Sequence, residues 1–417
     1  SRHIDYPFQQ ITHHNVYFKA FFDHEKIGHF AFQSTFQQDN RRENRIRRLN
    51  HSDIPTVSLH LNSLQNSLVW NKGYQHWKSE AGAQLLITDN TNERGTGVVP
   101  IIPNYTEVAF GLYALQKYTA DRWGMEAGVR FDGQQTKADG YDWTGRRYGG
   151  KRDFANFTYS LGGHYHINKQ LKLTSHFGVA WRAPHVYELY SNGNELSSGI
   201  FVKGDSTLLS EQSYKWISSL KYTSKYFDVQ LDGYLQWINN YIFDQPTGRN
   251  ITVVSGAYPV FQYRQTRAFF QGVDLDAHVR PVSSLDYHLV TAMIWAREMP
   301  SHAYLPYIPS FRLTHSLTWS LPFFKAFSPK LGLTHRFVAK QTRFNPATDL
   351  IANSPEAYHL MGFDVSFSVP MREGQSLRVG LMGDNILNRE YKEYTNRSRY
   401  YAHDMGRDVR CMITWNF

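Results

Sequence analysis

Apolar residues recur at every second position along most of the chain. At the C-terminal end they are Val409, Cys411, Ile413, Trp415 and Phe417, and the positions between them are mostly polar. Successive side chains of a β-strand point to opposite faces, so this spacing predicts a strand with one apolar and one polar face. The same alternation recurs upstream, and a helical period fits none of these stretches. The pattern therefore predicts an all-β protein.

The alternation predicts seventeen strands. They lie at 8–22, 27–38, 56–69, 73–88, 103–118, 121–135, 152–167, 170–181, 207–223, 226–241, 262–280, 284–297, 310–321, 328–340, 357–369, 375–383 and 407–417. The connections between them are alternately short and long. The long ones lie at about 39–55, 89–102, 136–151, 182–206, 242–260, 298–309, 341–356 and 384–406.

The alternation of short and long connections distinguishes between a soluble β-protein and a transmembrane barrel. A soluble β-sandwich or propeller also alternates, but its loops do not divide into a short side and a long side. A transmembrane barrel has short turns at the periplasmic end of its strands and long loops at the outer end. We therefore predict a transmembrane antiparallel β-barrel. If the last strand ends at the periplasmic rim, all the long loops are extracellular.

Composition agrees with a barrel and excludes other classes. Aromatic residues make up 15% of the chain and charged residues 19%, below the ~25% charged residues of a typical soluble domain. No apolar run approaches the ~18 residues of a transmembrane helix, so a helical membrane protein is excluded. The single cysteine, Cys411, excludes a disulfide framework and a cysteine-based zinc site.

An odd number of strands indicates an incomplete barrel. Closed bacterial barrels of one chain have an even number of strands. An open edge in lipid would leave backbone groups unsatisfied, at a cost of several kcal/mol each. We therefore expect that residues 1–417 form an N-terminally truncated barrel domain.

Two segments near the middle of the chain resemble a known family. Residues 181–184 read Trp-Arg-Ala-Pro and 188–190 read Glu-Leu-Tyr, which is similar to an aromatic-Arg-Ala-Pro box of TonB-dependent outer-membrane receptors. Residues 204–213 resemble the box that follows in that family, although Ser206 and Ser210 stand where the family usually has prolines.

Two later segments and the last residue extend the resemblance. Residues 270–274, Phe-Gln-Gly-Val-Asp, resemble a strand start of the family, and 383–391 resemble its stretch before the final loop. Phe417 is similar to the aromatic terminus that the barrel-assembly machinery recognises, and Trp415 lies on the same face. The motifs follow the family order over roughly 150–417.

The resemblance implies a fold and a function. Family barrels have 22 strands, a size associated with plugged outer-membrane transporters, so about 17 strands of a presumed 22 are present and the plug and TonB box are absent. It implies an active transporter in the outer membrane, surrounded by lipid and lipopolysaccharide and coupled to TonB, ExbB and ExbD. The implied substrate is a ferric siderophore or other iron chelate. Alternatives are a zinc or haem receptor of the same family or, from another class, a passive porin or adhesin barrel.

Two basic loops are candidates for ligand capture. The long connection at 39–55 contains Arg45, Arg47 and Arg48 within a group of five arginines, and guanidinium groups match the carboxylates and phosphates of an anionic chelate. The alternative is pairing with lipopolysaccharide or solvation. The connection at 384–406 contains Arg399, Tyr400 and Tyr401, for which the alternative is an interfacial aromatic girdle. In the Arg-Ala-Pro box, Arg182 and His185 are further ligand candidates, beside a structural role for the box.

Histidine is abundant, with 19 residues in 417. Imidazole suits zinc, copper and haem iron, and His51, His185 and His302 in predicted outer loops are weak metal-ligand candidates. Residues 186–213 contain no histidine, which argues against haem because haem receptors of the family usually carry a ligand histidine in that interval. The alternative is histidines scattered over polar surfaces.

No sequence motif indicates catalysis. The chain lacks Gly-x-Ser-x-Gly, His-Glu-x-x-His and a phosphate-binding loop, so we expect neither an enzyme nor a cofactor. The excess of 45 Lys and Arg over 36 Asp and Glu is dispersed over many loops, which does not indicate nucleic-acid binding.

Overall fold

The computed structural model describes residues 6–46, 52–142, 144–195, 198–253, 256–321, 327–371 and 374–416. Within them the chain forms a 19-stranded sheet and one α-helix. It divides into two compact units, the first comprising 1–163, 177–214 and 238–267 and the second comprising 164–176, 215–237 and 268–417. Among the described residues no helix combines the length and the apolar character required to cross a membrane.

The strands are long and mostly antiparallel. Six lie wholly in the first unit: β1 (Phe8–His24), β2 (Gly28–Asn44), β3 (Val57–Tyr74), β4 (Trp77–Asn92), β5 (Asn104–Thr119) and β6 (Trp123–Tyr141). That unit also contains α1 (Val186–Tyr190), β9 (Asn192–Glu195) and β10 (Ile200–Lys203). Five strands contribute residues to both units: β7 (Arg147–His166), β8 (Leu171–Arg182), β11 (Glu211–Thr223), β12 (Phe227–Val253) and β13 (Gly256–Val282). Six lie wholly in the second unit: β14 (Leu285–Glu298), β15 (Arg312–Ser320), β16 (Lys330–Val338), β17 (Tyr358–Pro370), β18 (Ser376–Asp384) and β19 (Asp408–Asn416).

Each of the seventeen predicted strands corresponds to one long strand, so the predicted all-β class is confirmed. The remaining two, β9 and β10, are four residues long and lie within the predicted connection 182–206. They pair antiparallel with each other, and β10 also pairs in parallel with β13, with Phe201 opposite Val260. Strands this short carry too little alternation to be recognised in a sequence.

The prediction of a long loop at 242–260 was wrong. The strands β12 and β13 are 27 residues each and extend through almost all of it. Likewise β6 and β7 cover most of 136–151, and β2 extends to Asn44 within 39–55. Backbone hydrogen bonds between two strands can continue beyond the residues that carry the apolar face, into a part of the hairpin that is polar on both faces. The loss of alternation in its sequence therefore marks the end of the apolar face and not the end of the strand.

The two faces of the sheet differ in the way that the alternation predicts. In β5 the side chains of Val108, Phe110 and Leu112 are 39%, 46% and 54% exposed. The facing strand continues this surface, since Phe131 lies opposite Leu112. On the other face Glu107 accepts a hydrogen bond from Gln134 at 2.9 Å. A soluble monomer rarely exposes so large a contiguous apolar surface, whereas lipid covers it without cost.

A buried cluster of the first unit surrounds α1. Its buried side chains are Ala138, Val186, Leu189, Tyr190, Leu208 and Ile242, and Ile102, Tyr105, Tyr148 and Tyr263 pack against them. Besides the helix, these residues come from five strands and two connections, so they fix the loops that surround the helix relative to each other.

Candidate functional site

The Arg-Ala-Pro box forms the junction between β8 and α1. The strand ends at Arg182, and the next two residues, Ala183 and Pro184, are buried. Proline has no N–H to donate to a strand ladder, which explains the end of β8 at this point. His185 then caps the helix: its Nδ1 accepts from the backbone N–H of Tyr187 at 3.1 Å, and its own N–H donates to Glu188 Oε2 at 2.8 Å.

Arg182 joins three elements through two carboxylates. Its Nη1 donates to Glu188 Oε2 at 2.6 Å and its Nε donates to Glu211 Oε2 at 2.8 Å. The other oxygen of Glu211 accepts from the backbone N–H of Ile242 at 2.6 Å. Arg182 therefore connects the end of β8 to α1, β11 and β12. Its side chain remains 43% exposed, so an incoming anion can still approach the guanidinium.

The second family box is held by side chains from outside it. Arg152 donates to the backbone carbonyls of Ser206 and Leu208, the latter at 2.7 Å. Gln265 accepts from the N–H of Leu209 and donates to its carbonyl, at 2.8 and 2.6 Å. At Gly204 a Cβ would lie 2.6 Å from the backbone of Leu189, so only glycine fits there. The segment is thus fixed even though it lacks the two prolines that the family usually has.

His185 is exposed and lies beside an aromatic ring. Its imidazole meets the ring of Tyr105 edge-on, with 6.4 Å between the centroids. Since Nδ1 caps the helix, Nε2 is the nitrogen that a ligand can reach. One imidazole nitrogen is enough for an axial or terminal metal bond, but it does not make a closed metal site.

A second cluster surrounds Arg399 in the connection between β18 and β19. Arg399 and Asp349 form an ion pair at 2.5 Å, and their side chains are only 2% and 3% exposed. The hydroxyl of Tyr400 donates to the other oxygen of Asp349 at 2.8 Å. The guanidinium lies over the rings of Tyr394 and Tyr400, 4.7 and 4.6 Å from their centroids. Burial raises the pKa of Tyr394 to about 12, and burial, nearby Tyr307 and the hydrogen bond to Asp349 also raise that of Tyr400.

The three candidates of this loop differ in access. Arg399 and Tyr400 are committed to Asp349, and a ligand would have to displace a buried carboxylate to bind the guanidinium. Tyr401, by contrast, is 62% exposed. The structure therefore brings Arg399 and Tyr400 together and leaves Tyr401 at the surface.

The predicted basic loop at 39–55 is only partly described. Arg45 is half-buried and follows directly after β2, whereas Arg47, Arg48 and His51 lie outside the described residues. The strand residue Arg41 is exposed and its Nε donates to Glu43 at 2.8 Å. At least part of the arginine group thus lies on a strand and is already partnered by an acid.

The remaining candidates are His302 and the two aromatic residues at the C-terminal end. His302 is exposed in the turn between β14 and β15, with a φ of 56°. It belongs to the second unit, whereas His185 belongs to the first. Trp415 is 58% exposed on the same face as Ile413. Phe417 lies outside the described residues.

The structure also assembles histidines that the sequence left scattered. On the polar face of β13 and β14, His278 lies directly opposite His288 and their rings stack with centroids 3.9 Å apart. On the apolar face of β15, β16 and β17, His315, His335 and His359 form a hydrogen-bonded row with nitrogen separations of 2.7 and 2.9 Å. In the sequence, the period of two could place each of these histidines on a face of its strand. Only the register between neighbouring strands shows which histidines lie next to each other.

Comparison with known proteins identifies the family. The model of the family described as "TonB dependent receptor-like, beta-barrel" matches residues 3–386. The TonB-dependent heme receptor A of Haemophilus influenzae is 22% identical over an alignment of 356 residues, which covers 76% of this chain and 46% of the relative. The chain therefore spans about half the length of this relative.

Solved structures share the fold at low sequence identity. The copper transporter OprC matches with a TM-score of 0.76 and 13% identity, over 95% of this chain and 64% of its own. The FrpB iron transporter from Neisseria meningitidis (F3-3 variant) matches with a TM-score of 0.70 and 13% identity, over 98% and 63%. Since the family model matches more than nine-tenths of the sequence, the chain belongs to the TonB-dependent receptor-like β-barrel family, whose members are outer-membrane barrels and not enzymes.

Proposed function

We propose that this barrel belongs to an active transporter that takes up a metal chelate across the outer membrane with energy supplied through TonB, ExbB and ExbD. The observation that carries the proposal is the family match over residues 3–386. The exposed apolar face of β5 and β6 supports insertion in lipid, and the fixed loop clusters around α1 and Arg399 support a preformed outer surface. Assembly would use the barrel-assembly machinery, with Trp415 and Phe417 as its signal, and lipopolysaccharide would surround the outer rim.

The proposed substrate is a ferric siderophore or another anionic iron chelate. Arg182 supports this class because it is accessible and already binds two carboxylates, so its geometry suits a carboxylate or phenolate oxygen of a chelate. The interval 186–213, which forms α1, β9 and β10, contains no histidine. Arg45, Arg47, Arg48 and Tyr401 are proposed to add contacts from other loops.

Haem is the second candidate, and a specific observation favours it. The relative from Haemophilus influenzae carries the name of a haem receptor, and His185 Nε2 is accessible just before the histidine-free interval. A bare metal ion is the third candidate, because one of the similar structures is a copper transporter. The ligands to test for it are His185, His302 and His51.

Uptake by intact cells tests the proposal. The full-length receptor is placed in a Gram-negative host that lacks its own iron receptors, with and without TonB, and is offered a radiolabelled ferric tris-catecholate, ferric citrate or haemin. We expect TonB-dependent uptake of a ferric chelate that falls at least tenfold when Arg182 becomes alanine. Uptake of haemin alone would overturn the siderophore assignment, and uptake independent of TonB would overturn active transport.

A pair of His185 variants separates haem ligation from helix capping. His185→Asn keeps a side-chain oxygen that can cap α1, but it removes the imidazole. If haem is the substrate, both His185→Asn and His185→Ala abolish haemin uptake. If the substrate is a siderophore, His185→Asn leaves uptake unchanged.

A further inference from the structure

Five ionisable side chains meet on the polar face of the β13–β14 hairpin, close to its short turn. His278 and His288 lie opposite each other in the antiparallel register, and Asp276 lies two residues before His278 on the same face. The imidazoles are nearly parallel, with an angle of 6° between their planes. Asp276 Oδ1 lies 3.0 Å from His288 Nε2 and 4.0 Å from His278 Nε2. Two nitrogens and one carboxylate oxygen therefore converge.

A second carboxylate orients one of the imidazoles. The Nδ1 of His278 lies 2.9 Å from Asp286 Oδ1, and the other oxygen of Asp286 accepts from Arg280 Nε at 2.9 Å. Because the carboxylate accepts, Nδ1 carries the proton of the neutral ring and Nε2 carries the lone pair. A carboxylate behind the non-ligating nitrogen is the usual support of a metal-bound histidine.

Hydrogen bonding accounts for only part of this arrangement. Neutral His288 donates from Nε2 to Asp276 Oδ1 at 3.0 Å, but in the neutral form of His278 the Nε2 lone pair faces the same oxygen at 4.0 Å, which exceeds the length of a hydrogen bond. When the proton of His288 moves to its Nδ1, three electron-rich atoms surround one point, and a cation at that point is attracted by all of them. All three ligand atoms lie within 4.8 Å of one another.

We propose that Asp276, His278 and His288 bind one divalent transition-metal ion of the Zn²⁺ or Cu²⁺ class. Nitrogen and carboxylate ligands bind these ions at about 2.0–2.2 Å in a tetrahedral or tetragonal geometry. The stacked rings must fan apart slightly, so that both lone pairs meet at the ion. Three protein ligands leave a fourth position for water or an exchangeable ligand. The site does not depend on the substrate proposed above. All its residues lie in β13 and β14, and none belongs to the clusters around α1 and Arg399.

Metal titration of the full-length receptor, purified without an affinity tag of histidines, tests the site. We expect one Cu²⁺ bound per chain, with electron paramagnetic resonance showing coupling to two imidazole nitrogens. Because such ligands bind Zn²⁺ more weakly than Cu²⁺, Zn²⁺ should displace the copper only when it is in large excess. The double variant His278→Asn/His288→Asn should weaken Cu²⁺ binding at least tenfold and remove the nitrogen coupling. Heat-dependent gel mobility verifies that each variant barrel is folded.

Two single variants sharpen the test. Asp286→Asn keeps all three ligands but removes the orienting carboxylate, so we expect affinity to fall about 10- to 100-fold. His335→Asn removes a histidine from the apolar row in the same unit and should leave Cu²⁺ affinity unchanged. If the wild-type receptor shows no bound copper with nitrogen coupling, or if the folded double variant binds as tightly, the proposal is wrong. If the double variant does not fold, Asp276→Asn replaces it, with the same tenfold loss required.

Discussion

Arg182 and Arg399 both lie in loop clusters and are both neutralised by carboxylates, yet they differ in what surrounds them. Arg182 binds two glutamates and keeps 43% of its side chain exposed. Arg399 binds one aspartate, contacts the faces of two tyrosine rings and is 2% exposed. An exposed arginine can exchange one carboxylate partner for an oxygen of a ligand. A fully buried arginine that bound a ligand would leave its carboxylate partner buried without a neutralising positive charge, which is costly in free energy. The same residue type is thus suited to ligand capture at one site and to holding a loop at the other.

The largest effect is expected at Arg399. Arg399→Ala leaves Asp349 buried with the hydroxyl of Tyr400 and the backbone N–H of Ile351 as partners but without a neutralising charge, so the variant should lose about 3–5 kcal/mol of stability. The loss should be local, with faster hydrogen exchange of the connections that contain Asp349 and Tyr394. Hydrogen exchange of the folded receptor in detergent, followed by mass spectrometry, measures it.

A double variant tests whether the buried charge is the cause. Arg399 Nε is buried without a hydrogen-bond partner among the described residues, so the pair is not ideally satisfied. Arg399→Met with Asp349→Leu should therefore recover most of the protection, since replacing both charges by apolar groups is often neutral. If the double variant exchanges as fast as Arg399→Ala, the uncompensated carboxylate is not the cause.

A smaller effect is expected at Arg182. Arg182→Gln removes two charge-assisted hydrogen bonds, but the arginine side chain is 43% exposed and the two glutamates keep 14% and 15% of their side chains exposed, so the expected loss is about 1–2 kcal/mol. Hydrogen exchange of α1 measures the loss. Arg182→Lys should retain part of the stability and lose the simultaneous contact with Glu188 and Glu211. A loss as large as that of Arg399→Ala would remove the distinction between the two arginines.

The cap of α1 should contribute less. His185→Ala removes the acceptor for the Tyr187 N–H and should cost about 1 kcal/mol, whereas His185→Asn should cost only a few tenths because asparagine is a good cap. Exchange of the Tyr187 amide reports this contact directly. Equal protection in the two variants would mean that the imidazole acts in some other way than by capping.

The smallest effect on stability is expected at Tyr401. Its side chain is 62% exposed, so Tyr401→Ala should change stability by no more than about 0.5 kcal/mol. Tyr400→Phe, its neighbour, removes the hydrogen bond to Asp349 and should cost about 1–3 kcal/mol because that carboxylate is buried. Denaturant unfolding of the two variants side by side measures the difference, and similar values would contradict the assignment of Tyr400 to the buried cluster.

The sequence by itself determined the class of fold and most of its strands. Lipid on one side of the sheet and a polar environment on the other impose a period of two, and this period is a local property of a chain such as 409–417. The sequence also indicated the family, because short motifs such as Trp-Arg-Ala-Pro at 181–184 can be recognised without the structure. It failed at 242–260, where the alternation ended although β12 and β13 continued.

Only the tertiary structure decided which polar residues act together. Arg399 was a ligand candidate in the sequence. The residues around it do not reveal that its guanidinium forms an ion pair with Asp349, fifty residues earlier. The pairing of His278 with His288 has the same origin. The turn places Val282 opposite Leu285, and a bulge between Val279 and Val282 then shifts the register by one residue, so that the two imidazoles meet. A single-residue shift changes every cross-strand neighbour, and the forces that select it, which are backbone hydrogen bonds and the matching of the two faces, act between strands and not along one.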